Sequence, residues 1–325
     1  MAEPLLEVTD LSVDYLTDAA TVRAVNGVSL AVGPGEFLAI VGESGCGKST
    51  LLFGVAGLLS PPGEVAGGKV TFRGRDMVRI GRDELRQIRW REFSVVMQSA
   101  MNALNPMKSI GAQFKDALEA HGNPSSAEIR SRSEEVLQLV GIDAVHLQSY
   151  PHQLSGGMRQ RAMIAMALLF TPSLVMMDEP TSALDVVAQR SLMTKIKELQ
   201  RSLGFAVIFV THDMSVVGRY SDRVMVMYAG QVAESATTEA IFDRPLHPYT
   251  RGLMNAFPSV TGPRRELEGI PGSPPDLAHP PSGCRFHPRC PEVMPICRTH
   301  EPELYSVEGD QVRCLLYTEQ AKEAV

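Results

Sequence analysis

A glycine-rich segment that follows a short apolar run contains the residues best suited to bind phosphate. It reads Gly42-Glu-Ser-Gly-Cys-Gly-Lys-Ser-Thr50, which matches the G-x-x-x-x-G-K-S pattern of a phosphate-binding loop. Glycines allow successive backbone N–H groups to face phosphate oxygens, and the helix that follows adds the positive end of its dipole. We expect Lys48 to reach the β- and γ-phosphates and the Ser49 hydroxyl to bind Mg²⁺. The expected nucleotide contacts are Gly42, Ser44, Gly45, Cys46, Gly47, Lys48, Ser49 and Thr50, although Cys46 occupies a variable position.

Two acidic residues end a second apolar run, Leu174-Val-Met-Met-Asp178-Glu179. Asp178 can hold Mg²⁺ through water, and Glu179 can orient and polarise an attacking water. Phosphoryl transfer needs little more from a protein than positioning and charge neutralisation. By itself the pattern is weak, since many strands end in acids, but downstream of a phosphate-binding loop it indicates nucleotide hydrolysis.

The segment Leu154-Ser-Gly-Gly-Met-Arg-Gln160 opens a predicted helix. Ser155, Gly156 and Gly157 form a second turn whose exposed N–H groups suit an anion. This segment is the signature sequence of the ABC ATPase family, which the chain resembles over residues 1–240. The resemblance implies that Ser155, Gly156, Gly157 and Gln160 bind the nucleotide that is held by the phosphate loop of a second ATPase chain. Two chains must then pair head to tail.

The same resemblance implies roles for further residues. Tyr15 resembles the aromatic residue that stacks on adenine, although a core tyrosine is an alternative interpretation. Gln98 resembles the glutamine that contacts Mg²⁺ and the attacking water. Asp185 ends a loop, Ser182–Asp185, that resembles the segment exchanged across the dimer. His212 resembles the switch histidine that contacts the γ-phosphate.

The C-terminal part carries two further motifs. The segment Arg244-Pro-Leu-His-Pro-Tyr-Thr250 matches one typical of oligopeptide and dipeptide uptake ATPases, and a proline-rich stretch over 258–283 follows. Four thiols then occur in the pattern Cys284-x5-Cys290-x6-Cys297-x16-Cys314. Such a set suits a tetrahedral metal site, and some members of the peptide-uptake family hold a four-iron–four-sulfur cluster there.

The sequence does not determine which metal, if any, the four thiols of the tail bind. The cysteine spacing does not copy the ferredoxin patterns. Zinc, with His287 in place of one thiolate, and thiols without metal are the alternatives. In each metal-bound case the expected role is a structural staple for an underpacked tail.

Short apolar runs that alternate with helical patterns predict a mixed α/β fold. The buried strand candidates are Phe37–Val41, Leu174–Met177 and Phe205–Val210, and the helical patterns are Lys48–Leu59, Ser125–Val140 and Val187–Leu203. More regular alternation over Leu6–Val13 and Thr21–Val32 predicts a small antiparallel layer.

The expected architecture is an ABC-type P-loop NTPase. It has a mainly parallel sheet, an antiparallel β-layer and an α-helical subdomain at about 98–165. The nucleotide-binding domain is expected at 1–240, and a small irregular C-terminal extension at 241–325.

Composition limits the alternatives. The net charge of −6 argues against a dominant basic surface for nucleic acid. No apolar stretch reaches the ~18–20 residues that cross a bilayer, and the N-terminus lacks the pattern of a secretory signal. We therefore expect the chain at the cytoplasmic face of the membrane. A soluble ABC ATPase of DNA repair or translation is disfavoured, because duplicated cassettes, coiled-coil insertions and basic arms are missing from the sequence.

The resemblance also implies partners. These are two transmembrane permease subunits, an extracytoplasmic solute-binding protein and a second ATPase chain. The second ATPase is expected to be a related heterologous chain, with an identical copy as the alternative. Peptide is the favoured cargo, and an oligosaccharide or nickel is the alternative.

Overall fold

The computed structural model describes residues 3–18, 20–98, 103–182, 184–256 and 269–318. The strands in chain order are β1 (Leu6–Leu16), β2 (Thr21–Val32), β3 (Phe37–Val41), β4 (Gly63–Phe72), β5 (Arg75–Asp76), β6 (Phe93–Val96), β7 (Leu174–Asp178), β8 (Ala206–Thr211), β9 (Arg223–Tyr228), β10 (Gln231–Thr237), β11 (Tyr305–Val307) and β12 (Asp310–Val312). The α-helices are α1 (Lys48–Ala56), α2 (Arg82–Ile88), α3 (Ile110–Glu119), α4 (Ser126–Leu139), α5 (Gly156–Ala167), α6 (Val186–Leu203), α7 (Met214–Tyr220), α8 (Thr238–Asp243) and α9 (Pro248–Asn255).

The chain divides into two compact units. In the described residues, the first unit comprises Gly33–Glu36 and Arg79–Phe209, and the second comprises Glu3–Val32, Phe37–Val78 and the chain from Val210 onward. The division passes through β8, after Phe209.

The second unit contains two sets of strands. An antiparallel sheet has the order β2-β1-β4-β5, and its register shifts beyond Val8 and Leu11 mark irregularities in β1. The other set has the order β11-β12-β10-β9-β3, in which β3 runs parallel to β9. All five residues of β3 are buried, as expected for a strand covered on both faces. The predicted antiparallel layer and buried strand are therefore present.

The first unit combines parallel strands with helices. β6 runs parallel to β7, with Phe93 opposite Leu174. Helix α4 begins with a capping box, in which the Ser125 hydroxyl accepts the Glu128 N–H and the Glu128 carboxylate accepts the Ser125 N–H. Such reciprocal bonds satisfy two donors that the helix itself leaves unpaired. Arg132 then donates to the carbonyls of Leu168 and Leu169, which ties α4 to the end of α5. Helices α3 and α4 and most of α5 lie within the segment 98–165, for which the sequence predicted a helical subdomain, and residues 99–102 of that segment lie outside the described part.

The C-terminal extension belongs to the second unit and is only partly irregular. β12 pairs antiparallel with β10, where Glu234 lies opposite Val312, and β11 pairs with β12. Of the proline-rich stretch predicted over 258–283 as a connector, residues 258–268 lie outside the described residues. From 269 to 304 turns and short 3₁₀ segments dominate. The extension therefore joins the strands of the second unit through three-residue strands that no sequence pattern indicated.

Candidate nucleotide-binding site

The phosphate-binding loop lies between β3 and α1. Gly42 has a φ of 151° and Gly47 a φ of 102°, and Gly47 precedes the first residue of the helix. A Cβ on Gly42 would stand 2.2 Å from the carbonyl oxygen of Met227, and one on Gly47 would stand 2.2 Å from that of Ala24. Both the backbone angle and the space therefore require glycine. The loop folds as the sequence predicts, because these two positions accept nothing else.

The lysine of the loop points back onto the loop. Lys48 is 5% exposed, and its ammonium donates to the carbonyls of Gly42 and Glu43, at 2.8 Å each. Ser44 and Gly45 are exposed, whereas Cys46 is buried. Burial raises the pKa of the Cys46 thiol, so it stays neutral. The lysine and the first turn of α1, with Ser49 and Thr50, are the parts of the loop whose chemistry suits an anion.

Tyr15 lies beside this helix turn. It is half-buried on β1, and its hydroxyl is 3.2 Å from the hydroxyl oxygen of Thr50. The structure thus brings Tyr15 together with the phosphate loop inside the second unit, although the two are separated along the chain by the whole of β2 and β3. An aromatic ring at this place suits adenine stacking.

The first unit contains the predicted acidic pair and its glutamine. Asp178 is the last residue of β7 and is buried. Glu179 follows in the left-handed region, at a φ of 42°, which is uncommon for a residue with a side chain. The Gln98 amide nitrogen donates to the Glu179 carboxylate at 3.0 Å. Gln98 and Glu179 are therefore in direct contact.

The signature segment forms the start of α5. Ser155 is its N-cap, and the Ser155 hydroxyl accepts the Met158 N–H at 3.3 Å. Ser155 is exposed, and a Cβ on Gly157 would meet no atom within 4 Å. This first turn is therefore accessible to a ligand. Gln160, in contrast, is only 3% exposed, and among the described residues its amide nitrogen has no hydrogen-bond partner.

The remaining predicted residues lie at element ends. Asp185 is the N-cap of α6 and accepts the Ala188 N–H at 2.8 Å. Ala183, within the Ser182–Asp185 loop, lies outside the described residues. His212 is exposed directly after β8 in the second unit. Its neighbour Asp213 caps α7.

The donor set predicted for magnesium is chemically suitable. Ser49 offers a hydroxyl, Asp178 a carboxylate and Gln98 an amide oxygen, because the amide nitrogen of Gln98 is turned to Glu179. Mg²⁺ prefers such oxygen ligands and keeps several waters. The chemistry of each of these side chains therefore suits the ion.

The His-Pro-Tyr segment has a defined local role. His247 is the N-cap of α9, and its Nδ1 accepts the Tyr249 N–H at 3.0 Å. Pro248 takes the first helical position, where a missing N–H costs nothing. The Glu234 carboxylate accepts the Leu246 and His247 N–H groups. The segment is thus an anchored helix start.

Two contacts to the phosphate loop come from residues that the sequence did not single out for this role. The Tyr249 hydroxyl accepts the Glu43 N–H at 2.9 Å, and Arg289 forms an ion pair with the Glu43 carboxylate at 2.6 Å. Arg289 and Glu43 are 246 residues apart, so no local pattern could reveal the pair.

The four cysteines of the extension converge without forming a metal site. Cys314 lies close enough to Cys284, Cys290 and Cys297 for its titration to depend on them, and burial is the main cause that raises the pKa of Cys314 to about 12. Among the described residues, which include all four thiols and His287, no group of three or more metal-binding side chains could hold an ion. The placement of the tail side chains therefore supports neither the iron–sulfur cluster nor the zinc site that the sequence predicted.

Comparisons with known proteins agree with this geometry. The family described as "ABC transporter" matches residues 25–182, and "Oligopeptide/dipeptide transporter, C-terminal region" matches 233–297. The chain is 44% identical over 319 residues to the dipeptide transport ATP-binding protein DppD of Caldanaerobacter subterraneus subsp. tengcongensis, covering 97% of this chain and 98% of that protein. It is also 44% identical over 303 residues to the oligopeptide transport ATP-binding protein OppD of Salmonella typhimurium, covering 93% and 90%.

Among solved structures, the dimeric post-hydrolysis state of the ATP-binding cassette MJ0796 bound to ADP and Pi is similar, with a TM-score of 0.64 and 28% identity. The match covers 72% of this chain and 98% of that one. Among the described residues of this chain, no helix is both long and apolar enough to cross a membrane. With the phosphate loop, the signature turn and the His-Pro-Tyr helix in place, the chain belongs to the ABC transporter ATPases, in the group that carries the oligopeptide/dipeptide transporter C-terminal region.

Proposed function

We propose that this chain hydrolyses ATP and thereby drives the import of dipeptides or oligopeptides through a membrane transporter. The observation that carries this proposal is the phosphate loop, in which Gly42 and Gly47 leave no room for a side chain and Lys48 is buried. A loop of this kind suits the phosphates of a nucleoside triphosphate. The relatives named as dipeptide and oligopeptide transport ATP-binding proteins match nearly the whole chain, including the extension, which supports peptide as the cargo.

The roles proposed for the residues follow from their chemistry. The loop from Ser44 to Thr50 and the Lys48 ammonium bind the phosphates, and Tyr15 stacks on the adenine. Glu179 orients the attacking water, while the Gln98 amide holds the Glu179 carboxylate. Mg²⁺, when bound, neutralises charge that develops on the phosphate oxygens. His212 donates a ring N–H to the γ-phosphate.

The signature turn supports a paired assembly. Ser155, Gly156 and Gly157 present an accessible helix start in the first unit, which suits the phosphates of a nucleotide held by another ATPase chain. In the same assembly Asp185 lies in the loop exchanged between the chains, and Gln160 supports the signature turn from within. We propose a related second ATPase as the partner, with a second copy of this chain as the alternative. We also propose that residues 1–240 form the nucleotide-binding domain and residues 241–325 the C-terminal extension.

The other proposed partners are two permease subunits and an extracytoplasmic solute-binding protein, with this chain at the cytoplasmic face of the membrane. In this arrangement ATP binding closes the ATPase pair, and hydrolysis with product release opens it. Closure and opening then shift the permeases between inward-facing and outward-facing states.

The tail cysteines have no step in this function. A four-iron–four-sulfur cluster or zinc remains a prediction from the sequence. Iron, acid-labile sulfide and zinc analysis of protein purified without oxygen decides between them. Brown protein with stoichiometric iron and sulfide would support the cluster, and protein free of all three would leave a tail held by packing.

The function is tested by substituting Glu179 in the importer assembled with its permeases. Glu179→Gln keeps the volume and removes the charge, so ATP binding should persist while hydrolysis and dipeptide uptake fall by at least about a hundredfold. The matched control is Glu198→Gln, which removes an exposed carboxylate of α6 and should leave both rates unchanged. Near-normal hydrolysis by Glu179→Gln would contradict the assignment, and uptake of oligosaccharide without peptide would redirect the cargo.

A further inference from the structure

Glu43 of the phosphate loop is held at three separate points. Its N–H donates to the Tyr249 hydroxyl at 2.9 Å, and its carbonyl accepts from the Lys48 ammonium at 2.8 Å. Its carboxylate receives two parallel hydrogen bonds from Arg289, at 2.6 and 2.9 Å. Backbone and side chain of this one loop residue are therefore both restrained. Two of the three restraints come from the C-terminal extension.

The Arg289 guanidinium is itself built into place. It is 5% exposed, and its Nε donates to the carbonyl of Pro271 at 2.7 Å. Its guanidinium carbon is 5.8 Å from the centre of the Tyr228 ring. A two-pronged pair between a fixed guanidinium and a carboxylate has defined geometry as well as charge. This pair differs from an exposed ion pair, which stabilises little.

Tyr249 is held as firmly. It is fully buried, and its ring centre is 4.6 Å from that of Tyr228 and 5.4 Å from that of Phe286. These ring contacts fix the Tyr249 side chain, and the hydrogen bond from the Tyr249 N–H to His247 Nδ1 fixes its backbone. Together they set the position of the hydroxyl. Loss of this oxygen would leave the Glu43 N–H without its acceptor, and a buried unpaired donor is costly.

These contacts lead to a specific consequence for the nucleotide. A phosphate loop binds well only when its N–H groups already point at the phosphates, because ordering the loop on binding reduces the affinity. We propose that Arg289 and Tyr249 are positioning residues, through which the C-terminal extension holds the phosphate loop in its binding conformation by way of Glu43. This inference rests on the proposed function, since it assigns these residues to ATP binding by that loop.

The test is a double-mutant cycle in the full-length chain. Arg289→Gln and Glu43→Gln should each raise the dissociation constant for ATP, measured by calorimetry, by about tenfold, as expected for loss of a partly buried charge-assisted pair. If Arg289 acts through Glu43, the double variant should be no weaker than either single one. The matched control is Arg251→Gln, which breaks a half-exposed ion pair of the same extension with Glu292 and should leave ATP affinity unchanged.

Two further readouts separate positioning from mere folding. In the assembled importer, Arg289→Gln should raise KM for ATP with kcat retained, because the loop still reaches its binding conformation once ATP is saturating. Arg289→Lys keeps the charge without the fork and should recover part of the affinity. Tyr249→Phe, which preserves the ring contacts, should weaken ATP binding severalfold even if Arg289→Gln does not fold.

Three results would overturn the inference. These are unchanged ATP affinity in Arg289→Gln, independent and additive effects of the two substitutions, and an equal loss of affinity in Arg251→Gln. The variant Lys48→Ala distinguishes failure of the positioning role of Arg289 and Tyr249 from failure of the proposed function. If wild-type chain binds ATP and Lys48→Ala does not, the loop is a nucleotide site whatever Arg289 does; if wild type binds no ATP, both proposals fail together.

Discussion

His247 should make the stability of the second unit depend on pH. The side chain is 3% exposed, and burial lowers its pKa to about 3, assisted by the positive charge of Arg251 and opposed by a hydrogen bond to the backbone of Arg313. Its Nδ1 accepts the Tyr249 N–H, so a proton there would replace an acceptor by a donor. The substitution His247→Asn keeps a side-chain acceptor at the N-cap and removes the titrating group.

The size of the effect follows from linkage. An unfolded histidine has a pKa of about 6.5, so between pH 6.5 and 3 the unfolded chain binds a proton that the folded chain does not. Stability is therefore lost as pH falls through the unfolded pKa, and the loss is complete only below the folded value. At pH 5 the histidine lies ~1.5 pH units below its unfolded pKa, and each unit corresponds to ~1.36 kcal/mol. The wild type should lose about 2 kcal/mol more than His247→Asn between pH 7.5 and pH 5.

Urea unfolding at the two pH values measures this difference, since groups that titrate alike in both proteins cancel. His279→Asn is the control, because it removes an exposed histidine of the same extension and should keep the wild-type pH dependence. If wild type and His247→Asn lose the same stability on acidification, His247 titrates as in the unfolded chain. The account of the buried cap would then be wrong.

Substitutions at four other positions test single contacts. Gly42→Ala should abolish ATP binding and destabilise the chain by at least about 2 kcal/mol, because its Cβ would stand 2.2 Å from the Met227 carbonyl oxygen. Gly45→Ala, whose Cβ has open space around it, should cost only about 1 kcal/mol of stability. Equal losses of stability for the two variants in thermal unfolding would contradict the steric argument. Tyr15→Ala should weaken ATP binding about tenfold while Tyr15→Phe keeps it, as titration with ATP would measure, and equal loss in both would assign the effect to the hydroxyl near Thr50. Asp185→Ala should lose about 1 kcal/mol of stability in urea unfolding through its α6 cap, whereas Asp185→Asn should retain it.

The parts of the fold that depend on local residues were predictable. The apolar run Phe37–Val41 is β3 without change, and Leu174–Met177 is β7 with Asp178 added, because continuous apolar residues suit a strand buried on both faces. Helix α1 ends at Ala56 instead of the predicted Leu59. Gly57 stops it in the left-handed region, at a φ of 64°, as C-terminal glycines commonly do.

The parts that depend on distant pairing were not predictable. β11 and β12 have three residues each, too few for any period to be recognised, and they exist because β10 offers an edge. The His-Pro-Tyr motif was visible in the sequence, but the reason for the tyrosine is its contact with a loop 206 residues away. A motif can therefore be recognised long before its physical purpose can be derived.

The Glu43 contacts also limit which atoms of the loop can serve the nucleotide. Because the Glu43 N–H already donates to the Tyr249 hydroxyl, this N–H is not available to a phosphate, and the proposed phosphate donors of the loop begin at Ser44. The carbonyls of Gly42 and Glu43 accept hydrogen bonds from the Lys48 ammonium. The part of the loop that is anchored to the extension therefore also fixes the position of this ammonium group. A change in the extension that moved Arg289 or Tyr249 would thus alter both the loop and its cation. Within the second unit, the extension and the phosphate loop are thus coupled through the contacts of Glu43 with Tyr249 and Arg289.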